Sequence, residues 1–307
     1  MSKETVIAPR FDRFVFRERH FFVKRDDLVD PLLSGNKYWK LYSLIRTAAE
    51  KYKSILSYGG TQSNAMLSIA ALCHKKGWQF YYTSKAVAAH IKASPVGNLK
   101  LALELGMQLH EVSPESYEEA VNSLKCRGDD SVLYLPQGGA DPLAQAGMDR
   151  LAEEVRQWQQ AHGLEKLHLV LPSGTGTTAF YLASALPSVA VLTTAVVGDK
   201  DYLISQMQAL GPVPQNLHVL ENIKKYHFAK PYAEFLAIYR ELQHAGIEFD
   251  LIYGAHMWHT LLQHIDAIDG DILYLHTGGV IGNKTMLDRY HHKGLIDPTE
   301  SSHEQEV

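Results

Sequence analysis

Residues 167–178 read Leu167-His168-Leu169-Val170-Leu171-Pro172-Ser173-Gly174-Thr175-Gly176-Thr177-Thr178. From Leu167 to Leu171 the chain is apolar on both alternating positions, as in a parallel strand covered on both faces. A loop of small residues follows, and a helical pattern then runs from Thr178 to Ala185. Strand, glycine loop and helix in this order put free N–H groups and the positive end of a helix dipole at the loop, where an anion is favoured. The glycines let a ligand approach the backbone and the hydroxyls of Ser173, Thr175, Thr177 and Thr178 add donors, so a phosphate fits. The Gly-Lys-Ser/Thr ending of a P-loop and the spacing of a dinucleotide fingerprint are both missing. The bland alternative is a structural turn.

Outward from this unit, no Asp, Glu, Lys or Arg occurs between Leu167 and Val197. A membrane-crossing helix wants ~20 apolar residues in a row. Pro172, Gly174, Gly176 and Pro187 interrupt this stretch, which reads as buried strand, loop, helix and buried strand. Similar runs recur along the chain. Strands are expected at Phe21–Lys24, Ser54–Tyr58, Gln79–Thr83, Gln108–Val112, Val132–Leu135, Val189–Val197, Leu217–Leu220 and Ile272–His276. Helices are expected at Lys37–Lys51, Ser63–Lys76, Pro142–His162, Tyr202–Leu210, Tyr232–Ala245 and Ala255–Ile265. Strand–helix alternation predicts an α/β protein with parallel sheets. The tail Asp297–Val307 is polar and expected to fray.

Composition narrows the function classes. The chain has 307 residues, 46% of them hydrophobic and 21% charged, enough for a real core and for two domains. A net charge of −4 argues against nucleic-acid binding through a global basic field. With only two cysteines, Cys73 and Cys126, a disulfide scaffold and a four-cysteine zinc site are excluded, and a reducing cytoplasm is expected. The start, Met1-Ser2-Lys3-Glu4-Thr5, shows no secretory signal.

Three further segments could carry chemistry. Ser34-Gly35-Asn36-Lys37 opens a helix, and a lysine held at a positive helix start has a lowered pKa and can attack a carbonyl; a solvated helix-start lysine is the bland reading. Tyr58-Gly59-Gly60-Thr61-Gln62-Ser63-Asn64 precedes an apolar helix and suits a small carboxylate, although Ser63 or Asn64 could be a simple cap. Leu275-His276-Thr277-Gly278-Gly279 ends the last strand with a hydroxyl in reach of a ring nitrogen. His256 and His259 have near metal-ligand spacing on one helix but no third ligand, so no metal is expected. Cys73 reads as core, and regulation through Cys126 in Lys125-Cys126-Arg127 is a remote alternative.

Together these segments resemble the fold-type II pyridoxal-phosphate enzymes, which have a two-domain α/β architecture like the tryptophan synthase β subunit. Within that group the chain is similar to the 1-aminocyclopropane-1-carboxylate deaminase / D-cysteine desulfhydrase family. The resemblance also takes in Val23-Lys24-Arg25-Asp26-Asp27-Leu28, Gly97-Asn98-Leu99 and Gly138-Gly139-Ala140-Asp141-Pro142-Leu143. It implies parallel sheets with flanking helices, a large domain from residues 1–50 and 155–307, a small domain from 51–154, and pyridoxal 5′-phosphate in the cleft between them. It further implies that Lys37 is the Schiff-base lysine and base at Cα, and that Lys40 and the loop Ser173, Gly174, Thr175, Gly176, Thr177 and Thr178 hold the phosphate. Asn64 would bond the phenolic oxygen and Thr277 would approach the pyridine nitrogen. Gln62, Ser63 and Asn64 would take the substrate carboxylate, with Ser63 and Tyr253 also among the catalytic groups. A cytoplasmic homodimer acting on a small amino acid, without nucleic acid or membrane, completes what the resemblance implies.

The sequence departs from the family at four places. Ala65 stands where His or Gln is usual, Gly254 where deaminases have Glu and desulfhydrases commonly Thr, and His256 where a lysine is usual. The stretch Lys225–Tyr232 is short where relatives carry a second active-site tyrosine; Tyr226 or Tyr232 could stand in. Without an acid at 254, β-elimination is favoured over opening of a cyclopropane, so D-cysteine or a similar substrate is expected. The alternatives are cyclopropane deamination, a racemase or ammonia-lyase on the same fold, a cofactor-binding protein with little turnover, and a plain nucleotide-binding α/β protein.

Overall fold

Ten strands form two separate sheets in a computed structural model that describes residues 8–33, 35–125, 129–139 and 142–296. Ser34, Cys126, Ala140, Asp141, the N-terminal start and the tail Asp297–Val307 lie outside the described residues. In chain order the strands are β1 (Phe11–Phe16), β2 (Arg19–Lys24), β3 (Ser54–Tyr58), β4 (Gln79–Lys85), β5 (Gln108–Val112), β6 (Val132–Tyr134), β7 (Leu167–Ser173), β8 (Ala190–Ala195), β9 (Leu217–Val219) and β10 (Asp271–Leu275). The first sheet has the order β1-β2-β10-β7-β8-β9, and the second β5-β4-β3-β6. Every pairing is parallel except β1 with β2.

The apolar strands expected from sequence lie inside. Leu169, Val170 and Leu171 of β7 and Leu273 and Leu275 of β10 are buried, with helices covering the sheet. A separate core builds the second sheet around Ile55, Phe80 and Tyr82, with Met66, Ile69 and Leu72 from the helix Asn64–Lys76 and Cys73 among them.

Sequence reading passed over the helices Ala89–Ala93, Gly97–Glu104, Tyr117–Lys125 and Asn283–His292, and two further points needed revision. β1 was not expected; it joins β2 through the two-residue turn Arg17-Glu18, both with positive φ (47° and 62°). Such hairpin turns usually announce themselves by Asn-Gly or Asp-Gly, and Arg-Glu gives no such signal. Glu241 receives a two-pronged bond from the Arg17 guanidinium, so a distant helix holds the turn. The single helix expected over Lys37–Lys51 is instead Asn36–Lys40, Tyr42–Arg46 and a 3-10 turn at Ala49–Lys51. The helix Gln145–Ala161 crosses here so closely that a Cβ on Gly147 would lie 1.8 Å from the Trp39 carbonyl oxygen. That helix spans the expected domain division at residues 154 and 155, and Met148, Leu151, Val155 and Trp158 all join the core of the six-stranded sheet.

Because β2, β10 and β7 run parallel and adjacent, their C-terminal ends share one edge. The segments that follow them, residues 35–37, 276–279 and 174–178, therefore meet there. Ligands in open α/β sheets bind at this edge.

Candidate active site

Gly35 starts the lysine segment. Its φ is +61°, and a Cβ there would fall 1.9 Å from the Thr277 carbonyl oxygen, so only glycine lets this loop lie against the turn after β10. The same contact is closed by the Asn36 N–H, which donates to the Thr277 carbonyl at 3.4 Å. The helix Asn36–Lys40 is too short to be stable alone. It is pinned by the Trp39 indole N–H, which donates to Asp26 Oδ2 at 2.9 Å, and by the Gly35 N–H, which donates to the Asp26 carbonyl at 2.9 Å. Asp26 belongs to a buried ionic cluster with Lys24 and Glu154.

Lys37 is half-buried, and its Nζ donates to Asn36 Oδ1 at 2.9 Å. Burial pulls its pKa down to about 8, while the Asp250 carboxylate resists that fall. The Asn36 amide turns its other end to the glycine loop, Nδ2 donating to Thr178 Oγ1 at 3.3 Å. One side chain, which sequence reading passed over, thus couples the lysine to the loop after β7. Lys40, one turn on, is buried; its Nζ donates to the Gly138 carbonyl at 2.9 Å. Burial, reinforced by the nearby Lys37 charge, holds the Lys40 amine well below the usual lysine range. Gly138 is itself against Thr175, whose methyl is 3.4 Å from where a Gly138 Cβ would be.

In the glycine loop the hydroxyls are largely engaged within the protein. Ser173 ends β7, and its Oγ accepts from Thr193 Oγ1 at 2.7 Å, so the side chain faces β8. Thr175 and Thr177 share a hydrogen bond of 2.9 Å. Gly176 has φ +74° and begins the helix Thr177–Ala185, and a Cβ there would meet Met207 at 2.6 Å. What remains free to face a ligand is chiefly backbone N–H at a helix start.

The segment after β3 is built differently. Ser63 caps the helix Asn64–Lys76, its Oγ accepting from the Met66 N–H at 3.3 Å, so the simple capping role considered for it is filled. Gln62 is turned away: Nε2 donates to the Val96 carbonyl at 3.1 Å and Oε1 accepts from the Asn98 N–H at 3.1 Å. Asn98, fully buried, uses Nδ2 to hold both the Gln62 carbonyl and Asn64 Oδ1 at 2.9 Å. With Oδ1 engaged, Asn64 presents its Nδ2 donor toward the Gly278-Gly279 turn, 2.5 Å from where a Gly279 Cβ would stand.

Tyr253 lies against the glycine loop, its hydroxyl 3.5 Å from a Cβ position on Gly174. Burial and the neighbouring Asp250 charge raise its pKa. Thr277 is brought in through its backbone, as described. Neither Tyr226 nor Tyr232 is seen to join them. The Tyr226 hydroxyl donates to Glu234 and meets His259 Nε2 at 2.9 Å, and the Tyr232 hydroxyl accepts from the His227 N–H at 3.0 Å. The residue of that loop against Tyr253 is Phe228, edge-on at 5.8 Å. His256 bonds Asn222 at 2.8 Å and stacks on Phe235, and burial lowers its pKa to about 4.

A nucleophilic lysine near its working pKa, a backbone cradle for an anion and an oriented amide donor suit a cofactor bearing both a carbonyl and a phosphate. No helix among the described residues is long and apolar enough to cross a membrane. Residues 6–278 match the family described as pyridoxal-phosphate dependent enzyme. A putative 1-aminocyclopropane-1-carboxylate deaminase of Thermotoga maritima is 29% identical, over 86% of this chain and 89% of that protein. A bifunctional D-cysteine desulfhydrase/1-aminocyclopropane-1-carboxylate deaminase of Arabidopsis thaliana is 26% identical, over 87% of this chain and 74% of that protein. The crystal structure of an ACC deaminase homologue superposes with a TM-score of 0.73 at 22% identity, covering 92% of this chain and 94% of that one. The two sheets are those of a fold-type II enzyme with pyridoxal phosphate as its cofactor, and the chain belongs to the pyridoxal-phosphate-dependent enzyme family.

Proposed function

We propose that this enzyme eliminates a β-substituent from a small amino acid, D-cysteine or a close analogue, releasing keto acid and ammonia. The observation that carries this reading is Lys37: an enclosed amine with a pKa of about 8, bonded through Asn36 to the glycine loop. The residues fit the cofactor, because Gly176 has no room for a side chain beside Met207 and leaves the loop to its backbone. Lys37 would attach the cofactor covalently. Gly174, Thr175, Gly176, Thr177 and Thr178 would cradle the phosphate, with Lys40 beside them and Ser173 shaping the loop from β8. Asn64 would donate to the phenolic oxygen, and Thr277 would border the ring nitrogen. The division between the two domains falls before Gln145 in this reading.

Bound pyridoxal phosphate supplies a sink for the negative charge left at Cα. The chain supplies the rest. Lys37, once its amine is free, takes the Cα proton as general base. Ser63 and the N–H groups near it hold the substrate carboxylate. Tyr253, in a dry setting, closes the site beside Gly174. The β-leaving group departs with the electron pair of its bond to Cβ. The enamine released takes up water, giving keto acid and ammonia.

The preference for elimination over ring opening is supported by position 254. A Cβ there would lie 3.0 Å from both Asp250 Oδ2 and Phe249 Cβ, so a side chain at this point requires its neighbours to give by a few tenths of an ångström. Tyr226 and Tyr232 are engaged with other partners. Purified holoenzyme given D-cysteine, β-chloro-D-alanine and 1-aminocyclopropane-1-carboxylate tests the reading through keto-acid release. Pyruvate from the first two should exceed 2-oxobutanoate from the third. The reverse order overturns the substrate assignment. The resemblance also suggests a cytoplasmic homodimer, which sedimentation of the purified protein would show as twice the mass of one chain.

A further inference from the structure

Asp250 is buried, 4% exposed, and lies at the start of the helix Gly254–His264. Its Oδ1 accepts from the N–H of Ile252 at 3.2 Å and Tyr253 at 2.6 Å, and its Oδ2 from the N–H of Gly254 at 2.9 Å. Burial raises the pKa of this carboxyl, and the three backbone donors, with His276 nearby, work against that rise and favour the ionised form. Helix capping alone explains these bonds, but not where the residue stands. A Cβ on Gly279 would be 3.6 Å from Asp250 Cβ and 2.5 Å from the Asn64 amide. Gly35 of the lysine loop packs against Thr277 and Gly278 of the same turn. Asp250 and the lysine loop thus share one turn, whose residues 278 and 279 carry no side chains.

We propose that Asp250 is the buried counter-charge of this site, acting through Lys37 by holding a proton on its Nζ. This rests on the assignment of Lys37 made above.

The charges around the pair fix the sign of the effect. Near the Lys37 amine stand Asp250, which favours its proton, and Lys40, which disfavours it. Near the carboxylate stand Tyr253 of its own segment and His276 and Tyr274 of the β10 segment. His276 Nδ1 accepts from the Gly278 N–H at 3.2 Å, and its Nε2 is against the Glu248 carbonyl at 2.7 Å, so the ring braces the turn. Of these groups only Asp250 opposes the loss of the lysine proton; removing its charge must therefore lower the pH at which that proton is lost.

The test uses the holoenzyme. Its yellow band at roughly 410–430 nm requires a proton on the nitrogen joining Lys37 to the cofactor. Absorbance is followed against pH for the wild type and for Asp250→Asn, which keeps an oxygen to cap the helix but has no charge. The midpoint for loss of the band should fall by about one unit or more in the variant, the usual size of effect for a nearby opposite charge. A role confined to capping would lower thermal stability and leave the midpoint where it was, and that result overturns the proposal. If Asp250→Asn does not fold, Asp250→Ser, whose hydroxyl also caps, carries the same measurement. Hydride reduction and peptide mapping of the wild type come first. A tag on another lysine overturns the Lys37 assignment; a tag on Lys37 with an unmoved midpoint overturns only the inference about Asp250.

Discussion

The segments after β3 and β7 look alike in sequence, each a strand, two glycines, hydroxyl or amide residues and a helix, yet they work in opposite ways. After β7 the side chains are engaged: Ser173 with Thr193, Thr175 with Thr177 and Thr178 with Asn36, which leaves the backbone to face a ligand. After β3 it is a side chain, Asn64, that faces the site, and a second-layer residue, Asn98, decides which end of its amide does so. A loop that binds through its backbone is sensitive to any added Cβ. A loop that binds through a side chain is sensitive to whatever orients that side chain.

The largest expected effect comes from removing Lys37, the proposed attachment point of the cofactor. Lys37→Met should lower turnover by at least about a thousandfold, within the range for loss of a general base. Hydride reduction followed by peptide mapping should leave no cofactor on the chain, and a tag on Lys40 would move the assignment there. Next, Gly176→Ala forces a side chain into a left-handed backbone and against Met207. That combination should cost roughly 2–4 kcal/mol from the backbone and overpacking together, read as a fall in thermal midpoint and in affinity for added cofactor.

The Lys37 proton gives a pH signature in cofactor-free protein. Its folded pKa, about 8, lies below its unfolded value of 10.5. Below the folded value both states hold the proton and the burial penalty is fully present. As pH rises from 8 to 10.5 only the unfolded state keeps it, so this group's contribution to stability rises across that window. Denaturant titrations should show wild type gaining on Lys37→Met by up to roughly 3 kcal/mol across it; parallel curves would contradict the lowered pKa. On the β3 side, Asn98→Ala frees the Asn64 amide and should cost about 1–2 kcal/mol of binding, near a tenfold rise in KM or cofactor Kd. An unchanged constant would mean Asn64 is oriented by something else. The smallest effect is Gly60→Ala, whose Cβ would meet nothing within 4 Å. Stability should change by no more than about 0.5–1 kcal/mol, and a large loss would show that the two segments are more alike than their geometry says.

Much of this was legible before any coordinates. Nine of the strands lie where the sequence places them, most plainly β3, β7, β8 and β10, which are buried on both faces and therefore largely apolar. The glycine-rich segments were legible as strand-to-helix loops, because glycine and hydroxyl residues favour turns and helix caps. The orientation of Gln62 toward Val96, and of Ser173 toward β8, was not legible. An amide or hydroxyl carries the same letter whichever way it points.

The sequence by itself determined the alternating α/β order, the absence of a disulfide scaffold, and a helix-start lysine and a glycine-hydroxyl loop in one molecule. These depend on periodicity and residue chemistry, which are local. Only the tertiary structure decided that Asn36 joins Lys37 to Thr178, that Asn98 sets the amide of Asn64, and that Asp250 and the lysine loop pack against one glycine turn. It also decided that Arg17-Glu18 closes a hairpin and that the Lys37 helix stops where Gly147 meets Trp39. Each of these is a contact between segments far apart in the chain. Its energy depends on distance and direction in space, and no stretch of a few residues contains either.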